Sequence, residues 1–71
     1  MGKAEIRNRI RQLRFEHGEM TQQELADRVG CTRQTILLLE KERYVPSLAL
    51  AMRIAREFGE EVEGVFELDE G

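Results

Sequence analysis

The 71-residue chain contains no tryptophan and only one residue each of cysteine, histidine, proline and tyrosine. One cysteine cannot form an intrachain disulfide, and one cysteine with one histidine cannot supply the about four ligands of a structural zinc site. Cys31 and His17 nominally match a nucleophile and its base, but no residue is evident that would orient them. A packed cysteine and a surface-loop histidine are therefore favoured. The sequence predicts no enzyme, no catalytic residue, no metal site and no cofactor.

The chain also lacks a long hydrophobic run. A membrane-spanning helix needs about 20 apolar residues, and a secretory signal peptide needs an apolar segment behind a basic start. Neither pattern is present, which predicts a cytoplasmic protein without membrane contact. No internal repeat, glycine-rich phosphate loop or small-molecule site is evident. The length predicts one domain over residues 1–71, with residues 1–4 and 69–71 frayed.

Charged residues are unevenly distributed, although the net charge is only −3. Residues 1–47 contain nine Lys/Arg and seven Asp/Glu, a balance of +2, whereas residues 48–71 contain two Arg and seven Asp/Glu, a balance of −5. A local basic face can bind phosphate while an acidic segment points away from it. The distribution is therefore compatible with nucleic-acid binding of modest, salt-sensitive affinity.

The stretch TQQELADRVGCTRQTILLLE, residues 21–40, predicts two short helices joined by a tight turn. Thr21 and Glu24 form a capping-box pattern that marks the start of the first helix. Gly30 follows the last apolar residue of that helix, and Thr32 is the N-cap candidate of the next. Two helices this short are stable only when packed together. Crossing at a steep angle, they make a helix-turn-helix motif. Their apolar residues are Leu25, Ala26, Val29, Ile36 and Leu39.

The flanking segments predict three further helices. Apolar residues at helical spacing predict a helix over residues 5–16; they are Ile6, Ile10 and Leu13. Ser47 is the N-cap candidate of a helix that reaches about Phe58. A short last helix is predicted around residues 62–66. The expected fold is therefore all-α, a compact bundle of five helices.

The second helix of the motif carries side chains that suit base recognition in the major groove. Arg33 suits guanine, Gln34 suits adenine, and Thr35 suits a thymine methyl or a phosphate. Leu37 and Leu38 lie outside the core spacing. Leu38, one turn after Gln34, is placed to contact a thymine methyl. The competing interpretation is that Leu37 covers a gap against the fourth helix or a partner chain, and spacing does not separate the two.

Phosphate contacts are expected from two regions. Gln22 lies in the first turn of its helix, where free amides and the positive end of the helix dipole favour an anion. The alternative is an ordinary surface glutamine. Arg7, Arg9 and Arg11 also have two interpretations of similar weight, a solvated cationic face or phosphate contact by the first helix.

Four stretches together resemble the phage Cro and repressor family of helix-turn-helix proteins. They are IRNRIRQLR, TQQELADRVGCTRQTILLLE, YVPSLALAMRIAREFG and VFEL, and in this order they cover nearly the whole chain. The resemblance is greatest to free-standing single-domain members that lack a ligand-sensing domain. It implies a five-helix transcriptional regulator that binds an operator as a homodimer.

The resemblance also implies roles for single residues. Gln22 matches a glutamine on the phosphate side, and Arg14 with Glu40 matches an ion pair that ties the first helix to the third. The base-reading positions correspond to Arg33, Gln34 and Leu38. The dimer contact falls around the last helix, where the apolar candidates are Val62, Val65, Phe66 and Leu68. The competing interpretation is that these four residues only close the monomer core.

Two loops depart from the family pattern. One extra residue precedes the capping box, which bears on the placement of Arg14 relative to the motif. After Glu40 the usual Asn-Gly is replaced by Lys41-Glu42-Arg43, and the loss of the glycine indicates a longer third helix or a strained cap. Lys41 and Arg43 are candidates for phosphate contact, with the acidic Glu42 between them.

The predicted function is sequence-specific binding of duplex DNA by a transcriptional regulator, a repressor that occupies an inverted-repeat operator as a homodimer. The alternative is an antitoxin or adaptor that uses the same fold to bind another protein. Overall acidity, Glu42 and the Leu37/Leu38 pair favour the alternative. The two differ in salt dependence, because binding through phosphates weakens steeply as salt rises whereas apolar association hardly changes.

Overall fold

The computed structural model describes residues 5–69, which form five helices and a two-stranded sheet. In chain order the elements are β1 (Glu5–Asn8), α1 (Ile10–Glu16), α2 (Gln22–Val29), α3 (Arg33–Glu40), α4 (Leu48–Glu57), α5 (Val62–Val65) and β2 (Phe66–Asp69). Within residues 5–69 no helix is both long and apolar enough to cross a bilayer. The fraying predicted for residues 1–4 and 70–71 lies outside the described residues, whereas Asp69 is the last residue of β2.

The boundaries of the middle helices follow the local signals. The Glu24 amide donates to Thr21 Oγ1 at 3.0 Å and the Thr21 amide donates to Glu24 Oε1 at 2.7 Å, which completes the capping box. The hydroxyls of Thr32 and Ser47 each accept from an amide three residues on, at 3.2 and 3.1 Å. Gly30 ends α2 in the left-handed conformation with φ of +80°. Each cap satisfies backbone groups that a helix end leaves free, so these boundaries are fixed locally.

The all-α prediction is wrong for both ends of the described chain. Residues 5–8 form a strand instead of the first turn of a helix, and this strand pairs antiparallel with β2. Ile6 lies opposite Leu68 in the register and packs against the core, so it meets the helical spacing to Ile10 without being helical. The partner strand lies at the other end of the chain. A local periodicity carries no sign of such a distant pairing.

Asn8 explains why α1 begins at Ile10. Its Oδ1 accepts from the Ile10 amide at 3.1 Å, in a side-chain turn that asparagine readily forms. Its Nδ2 donates to the Leu39 carbonyl at 2.7 Å, near the end of α3. The neighbouring Arg9 amide donates to the Val65 carbonyl at 2.9 Å. Residues 8 and 9 therefore join the sheet and α1 to α3 and α5.

The core takes residues from every helix and from β2. Its fully buried large side chains are Ile10, Leu13, Leu25, Ile36, Leu39, Ile54 and Val65. Two of the four residues expected at a dimer contact belong to it, since Val65 is 1% and Phe66 8% exposed. Val62 is partly buried against the same core, and Leu68 is 55% exposed. Val65 and Phe66 therefore belong to the core of the monomer, whereas Leu68 lies on its surface.

The third helix ends at Glu40 and does not extend further. Glu42 adopts the left-handed conformation with φ of +59°, a place usually taken by glycine. The Glu42 amide donates to the Leu39 carbonyl at 2.9 Å, and the Arg43 amide donates to the Leu38 carbonyl at 3.0 Å. These are the two bonds of a Schellman cap. The sequence predicted either a longer third helix or a strained cap, and the structure has the strained cap.

Candidate nucleic-acid interface

The start of α3 presents unpaired polar side chains. Arg33 and Gln34 are exposed in the first turn of the helix. Thr35 is half-buried, and its hydroxyl lies 3.1 Å from that of the N-cap Thr32. Within residues 5–69, neither the Arg33 guanidinium nor the Gln34 amide group forms a side-chain hydrogen bond or ion pair. Both therefore offer free donors to a ligand.

A buried polar network fixes α1, α2 and α3 relative to one another. Arg14 donates to Glu40 Oε2 through Nε at 2.7 Å and to Oε1 through Nη2 at 3.1 Å. Gln22 Nε2 donates to the same Oε1 at 3.1 Å. The side chains of Arg14 and Glu40 are each 10% exposed, so water screens the pair little. The ion pair implied by the family resemblance is present in the structure.

The extra loop residue leaves this network in place. Gly18 and Glu19 adopt positive φ values of +80° and +56°, which turns the chain sharply after α1. The Met20 amide then donates to the Arg14 carbonyl at 2.9 Å, and the Met20 carbonyl accepts from Arg14 Nη1 at 2.7 Å. Arg14 therefore holds the loop with its backbone and with its side chain.

Leu37 and Leu38 have different surroundings. Leu37 is half-buried and lines an open cleft between α1 and α3. Its predicted role in covering a gap against the fourth helix or a partner chain stays a prediction. Leu38 is also half-buried and lies one turn after Gln34 on α3, outside the lining of that cleft. Leu38 therefore lies on the same side of α3 as Gln34, where the base-reading residues are expected.

The cap of α3 carries the two expected cations. Lys41 and Arg43 are exposed, and within the described part of the chain neither takes part in a salt bridge. Glu42 stands between them in the left-handed turn. Two free positive charges therefore follow directly on the helix that presents Arg33 and Gln34.

The cleft between α1 and α3 has a volume of about 520 Å³ and lies beside the Glu40 network. Its cationic lining consists of Arg9, Arg11, Arg14 and Lys41, and its apolar lining of Phe15 and Leu37. Phe15 is 54% exposed, and the Arg11 guanidinium lies over its ring, 5.7 Å from the centroid. The cleft thus combines positive charge with an exposed aromatic face.

Cys31 and His17 have packing roles. Cys31 is half-buried against the core, and this burial raises the pKa of its thiol, which disfavours the nucleophilic thiolate. His17 Nδ1 lies 2.9 Å from the Leu13 carbonyl, and its ring packs edge-on against Phe58 with centroids 5.1 Å apart. Across residues 5–69, no group of His, Cys, Asp and Glu side chains is arranged to hold a metal ion.

Two residues beside the interface were not identified from the sequence. Asn8 is a typical residue for the start of a helix, but the spacing of Ile6 and Ile10 masked this signal because it predicted a helix that began earlier. Phe15 is an apolar residue on an otherwise charged face of α1. Its position four residues after Arg11 was the available sign of their contact.

Comparison with known proteins gives matches over most of the chain. A helix-turn-helix family model matches residues 10–65. A Methanothermobacter thermautotrophicus protein, named as an uncharacterized HTH-type transcriptional regulator, is 61% identical over 66 residues, covering 92% of this chain and 94% of that protein. An Archaeoglobus fulgidus protein of the same name is 51% identical over 65 residues, covering 92% and 91%. A crystal structure from Bacteroides fragilis shares the fold, with a TM-score of 0.75 at 22% identity over 87% of this chain and 98% of that one.

Proposed function

We propose that this chain, which belongs to the Cro/C1-type helix-turn-helix family of transcriptional regulators, is a repressor that binds an inverted-repeat operator in duplex DNA as a homodimer. One observation carries the proposal: Arg33 and Gln34 offer free donors on the first turn of a helix whose C-terminal Glu40 is anchored in a buried network. Base recognition requires such exposed donors on a rigid support.

Base recognition is assigned to one face of α3. Arg33 donates two guanidinium N–H groups to O6 and N7 of guanine, and the Gln34 amide accepts from N6 and donates to N7 of adenine. Leu38, one turn later, contacts a thymine methyl. The Thr35 hydroxyl is already close to Thr32, so Thr35 contributes its methyl group or a single bond to phosphate.

Positioning on the DNA backbone is assigned to the first turn of α2 and to the cap of α3. The free amides at the start of α2 and the side chain of Gln22 bind one phosphate. Lys41 and Arg43 bind phosphates at the other end of the recognition helix. Such contacts fix the register on the duplex without reading sequence, and they give the complex a steep dependence on salt.

The family resemblance and the exposed apolar residues of the monomer support the homodimer. Two-fold symmetry places two copies of α3 in successive major grooves, about 34–36 Å apart, which requires an inverted repeat. Of the four residues considered for the contact, Leu68 and Val62 are retained because Val65 and Phe66 are buried in the monomer. A stable interface buries about 800 Å² per partner, so further exposed apolar residues must contribute. The candidates are Tyr44 and Val45, in the segment that precedes α4.

The test is selection from a pool of random DNA duplexes, with the Arg33→Ala/Gln34→Ala variant in parallel. We expect the unmodified protein to enrich an inverted repeat and the variant to lose base preference at the contacted positions, by about 1–3 kcal/mol for each lost contact. Circular dichroism establishes that the variant is folded. Absence of enrichment by a folded protein at low salt would reject the operator and favour a protein-binding module.

The dimer has its own test by sedimentation velocity. We expect Leu68→Asp to weaken self-association at least tenfold, because it places a charge in an apolar contact. Leu48→Asp is the matched control, since Leu48 is 71% exposed and lies on α4. Dissociation by the control variant alone would move the interface to α4.

A further inference from the structure

We infer that the cleft between α1 and α3 is a second binding site for a DNA backbone phosphate, held by Arg9 and Arg11. The inference rests on the proposed function and extends it, because Arg9 and Arg11 lie outside the helix-turn-helix motif. It also assigns a role to arginines for which the sequence leaves phosphate contact and a solvated surface equally open.

The arginines of this region differ in whether a carboxylate neutralises their charge. Arg7 belongs to β1 and pairs with Asp69 at 3.0 Å, and Arg14 is paired with Glu40. Arg9 and Arg11 are exposed, and within the described residues neither forms a salt bridge. Since Glu40 is already bound by Arg14, the charges of Arg9 and Arg11 remain uncompensated at the cleft.

Phe15 holds one of these cations in place. The Arg11 guanidinium stacks over the exposed Phe15 ring at 5.7 Å, and the Arg14 guanidinium lies over the same ring at 5.9 Å. Cation–π stacking orients a guanidinium without using its hydrogen-bond donors. The Arg11 donors are therefore preorganised for a ligand, which lowers the entropy lost on binding. One guanidinium group can donate two parallel N–H bonds to two oxygens of a phosphate, so a phosphate is the matching ligand.

The position of the cleft favours DNA as the source of that phosphate. Its lining includes Gln22 and Lys41, two of the three residues whose side chains are assigned to backbone contacts, and they lie at opposite ends of the motif. A DNA strand held by both must pass the opening of the cleft. The cleft is open to solvent, so a backbone phosphate can enter it without unfolding any element.

Salt dependence of binding tests the inference. The probe is a duplex recovered from the selection, with a scrambled duplex of the same length beside it, and affinity is measured by fluorescence anisotropy over a range of salt concentrations. Each phosphate contact contributes about 0.9 to the slope of log K against log salt concentration. Because the cleft holds one phosphate, we expect Arg9→Gln/Arg11→Gln to lower the slope by about 0.9 on both duplexes. The preferred sequence in a repeated selection should not change, because phosphate contacts carry no sequence information.

Two variants control for charge. Arg53→Gln/Arg56→Gln removes the same charge from the exposed surface of α4 and should leave the slope unchanged. Arg9→Lys/Arg11→Lys retains the charge and should keep most of the slope. Thermal denaturation by circular dichroism establishes that all variants are folded. An equal slope for the cleft variant and the α4 variant would overturn the inference while a normal selection result left the proposed function intact.

Free phosphate is distinguished by a separate titration. Inorganic pyrophosphate is added to ¹⁵N-labelled protein while the Arg9 and Arg11 Nε–Hε signals are followed by NMR. The duplex should shift both signals at much lower concentration than pyrophosphate does. Tight pyrophosphate binding that the double variant abolishes, without any change in the DNA salt slope, would overturn the inference in favour of a small-anion site.

Discussion

Gln22 Nε2 donates to Glu40 Oε1 at 3.1 Å, the oxygen that also accepts from Arg14 Nη2. The glutamine assigned to the phosphate side of α2 is thus positioned by the last residue of α3. Because Arg14 is anchored in turn to the loop through the Met20 carbonyl, one carboxylate sets the geometry between three helices. Substitution at Glu40 should therefore affect stability before it affects base preference.

Glu40→Gln should destabilise the fold by about 3–5 kcal/mol, because it leaves the buried Arg14 guanidinium without a charged partner. Urea denaturation measures the free energy of unfolding. Glu57→Gln is the control, since it breaks the more exposed Arg28–Glu57 pair at 2.9 Å and exposed pairs contribute little. Equal effects of the two variants would contradict the assigned importance of the Glu40 network.

Gln22→Ala should weaken DNA binding about fivefold, the equivalent of about 1 kcal/mol for one hydrogen bond, with base preference unchanged. Gln23→Ala is the neighbouring control, because the Gln23 amide donates to Asp27 on the exposed face of α2. Both affinities are measured on the selected duplex. If the Gln23 variant loses as much affinity as the Gln22 variant, Gln22 has no specific contact with phosphate.

Glu42→Gly should stabilise the protein by about 1 kcal/mol, because a side chain in the left-handed conformation costs about that much. Glu42→Ala removes the same charge but keeps the backbone penalty, so it should gain much less. The difference in the free energy of unfolding between the two variants, measured by chemical denaturation, gives the cost of the left-handed backbone at this position. A Glu42→Gly variant no more stable than Glu42→Ala would show that the Schellman cap tolerates the side chain at no cost.

Stability should fall in acid through Glu24. The backbone hydrogen bond from Thr21 lowers the pKa of the Glu24 carboxyl below its usual value. Its contribution is therefore complete above the usual pKa of a glutamate and is lost as the pH falls through the lower folded-state pKa. Glu24→Gln should flatten the pH dependence of the urea midpoint in that range. An unchanged pH profile for Glu24→Gln would exclude this role.

Asn8→Ala should cost about 1–3 kcal/mol, because it leaves the Ile10 amide and the Leu39 carbonyl without the Asn8 side chain. Asn8→Asp retains the acceptor for the Ile10 amide but places a second carboxylate oxygen against the Leu39 carbonyl, where two acceptors repel each other. It should therefore also destabilise the fold, while the Ile10 amide keeps its partner. Hydrogen exchange at Ile10 distinguishes the variants, since only the alanine variant should expose that amide. Equal protection of the Ile10 amide in the two variants would contradict its hydrogen bond to Asn8 Oδ1.

The sequence was sufficient for structure that is determined locally. Thr21, Thr32 and Ser47 cap their helices within three residues, and Gly30 ends α2 in the conformation that glycine favours. These signals located α2, the turn and α3, and therefore the residues that α3 exposes. Family resemblance then supplied the Arg14–Glu40 pair, which no periodicity indicates because its members lie far apart in the chain.

The sequence was insufficient where the outcome depends on distant segments. The spacing of Ile6 to Ile10 fits a helix, yet residues 5–8 pair with β2. Apolar residues near the end of the chain also do not reveal whether they face the core or a partner. Val65 and Leu68 look alike in the sequence, but one is 1% and the other 55% exposed.

The pairing of β1 with β2 predicts an order of assembly for the fold. The helix-turn-helix contacts join segments close in sequence, whereas the sheet closes the largest loop in the described chain. Loop-closure entropy grows with loop length, and contacts of high sequence separation tend to form late in folding. The bond from Asn8 to the Leu39 carbonyl depends on the strand that this pairing orders. The hydrogen bond at the Leu39 carbonyl is therefore expected to form only after β1 has paired with β2, whereas the Glu40 network does not depend on the sheet.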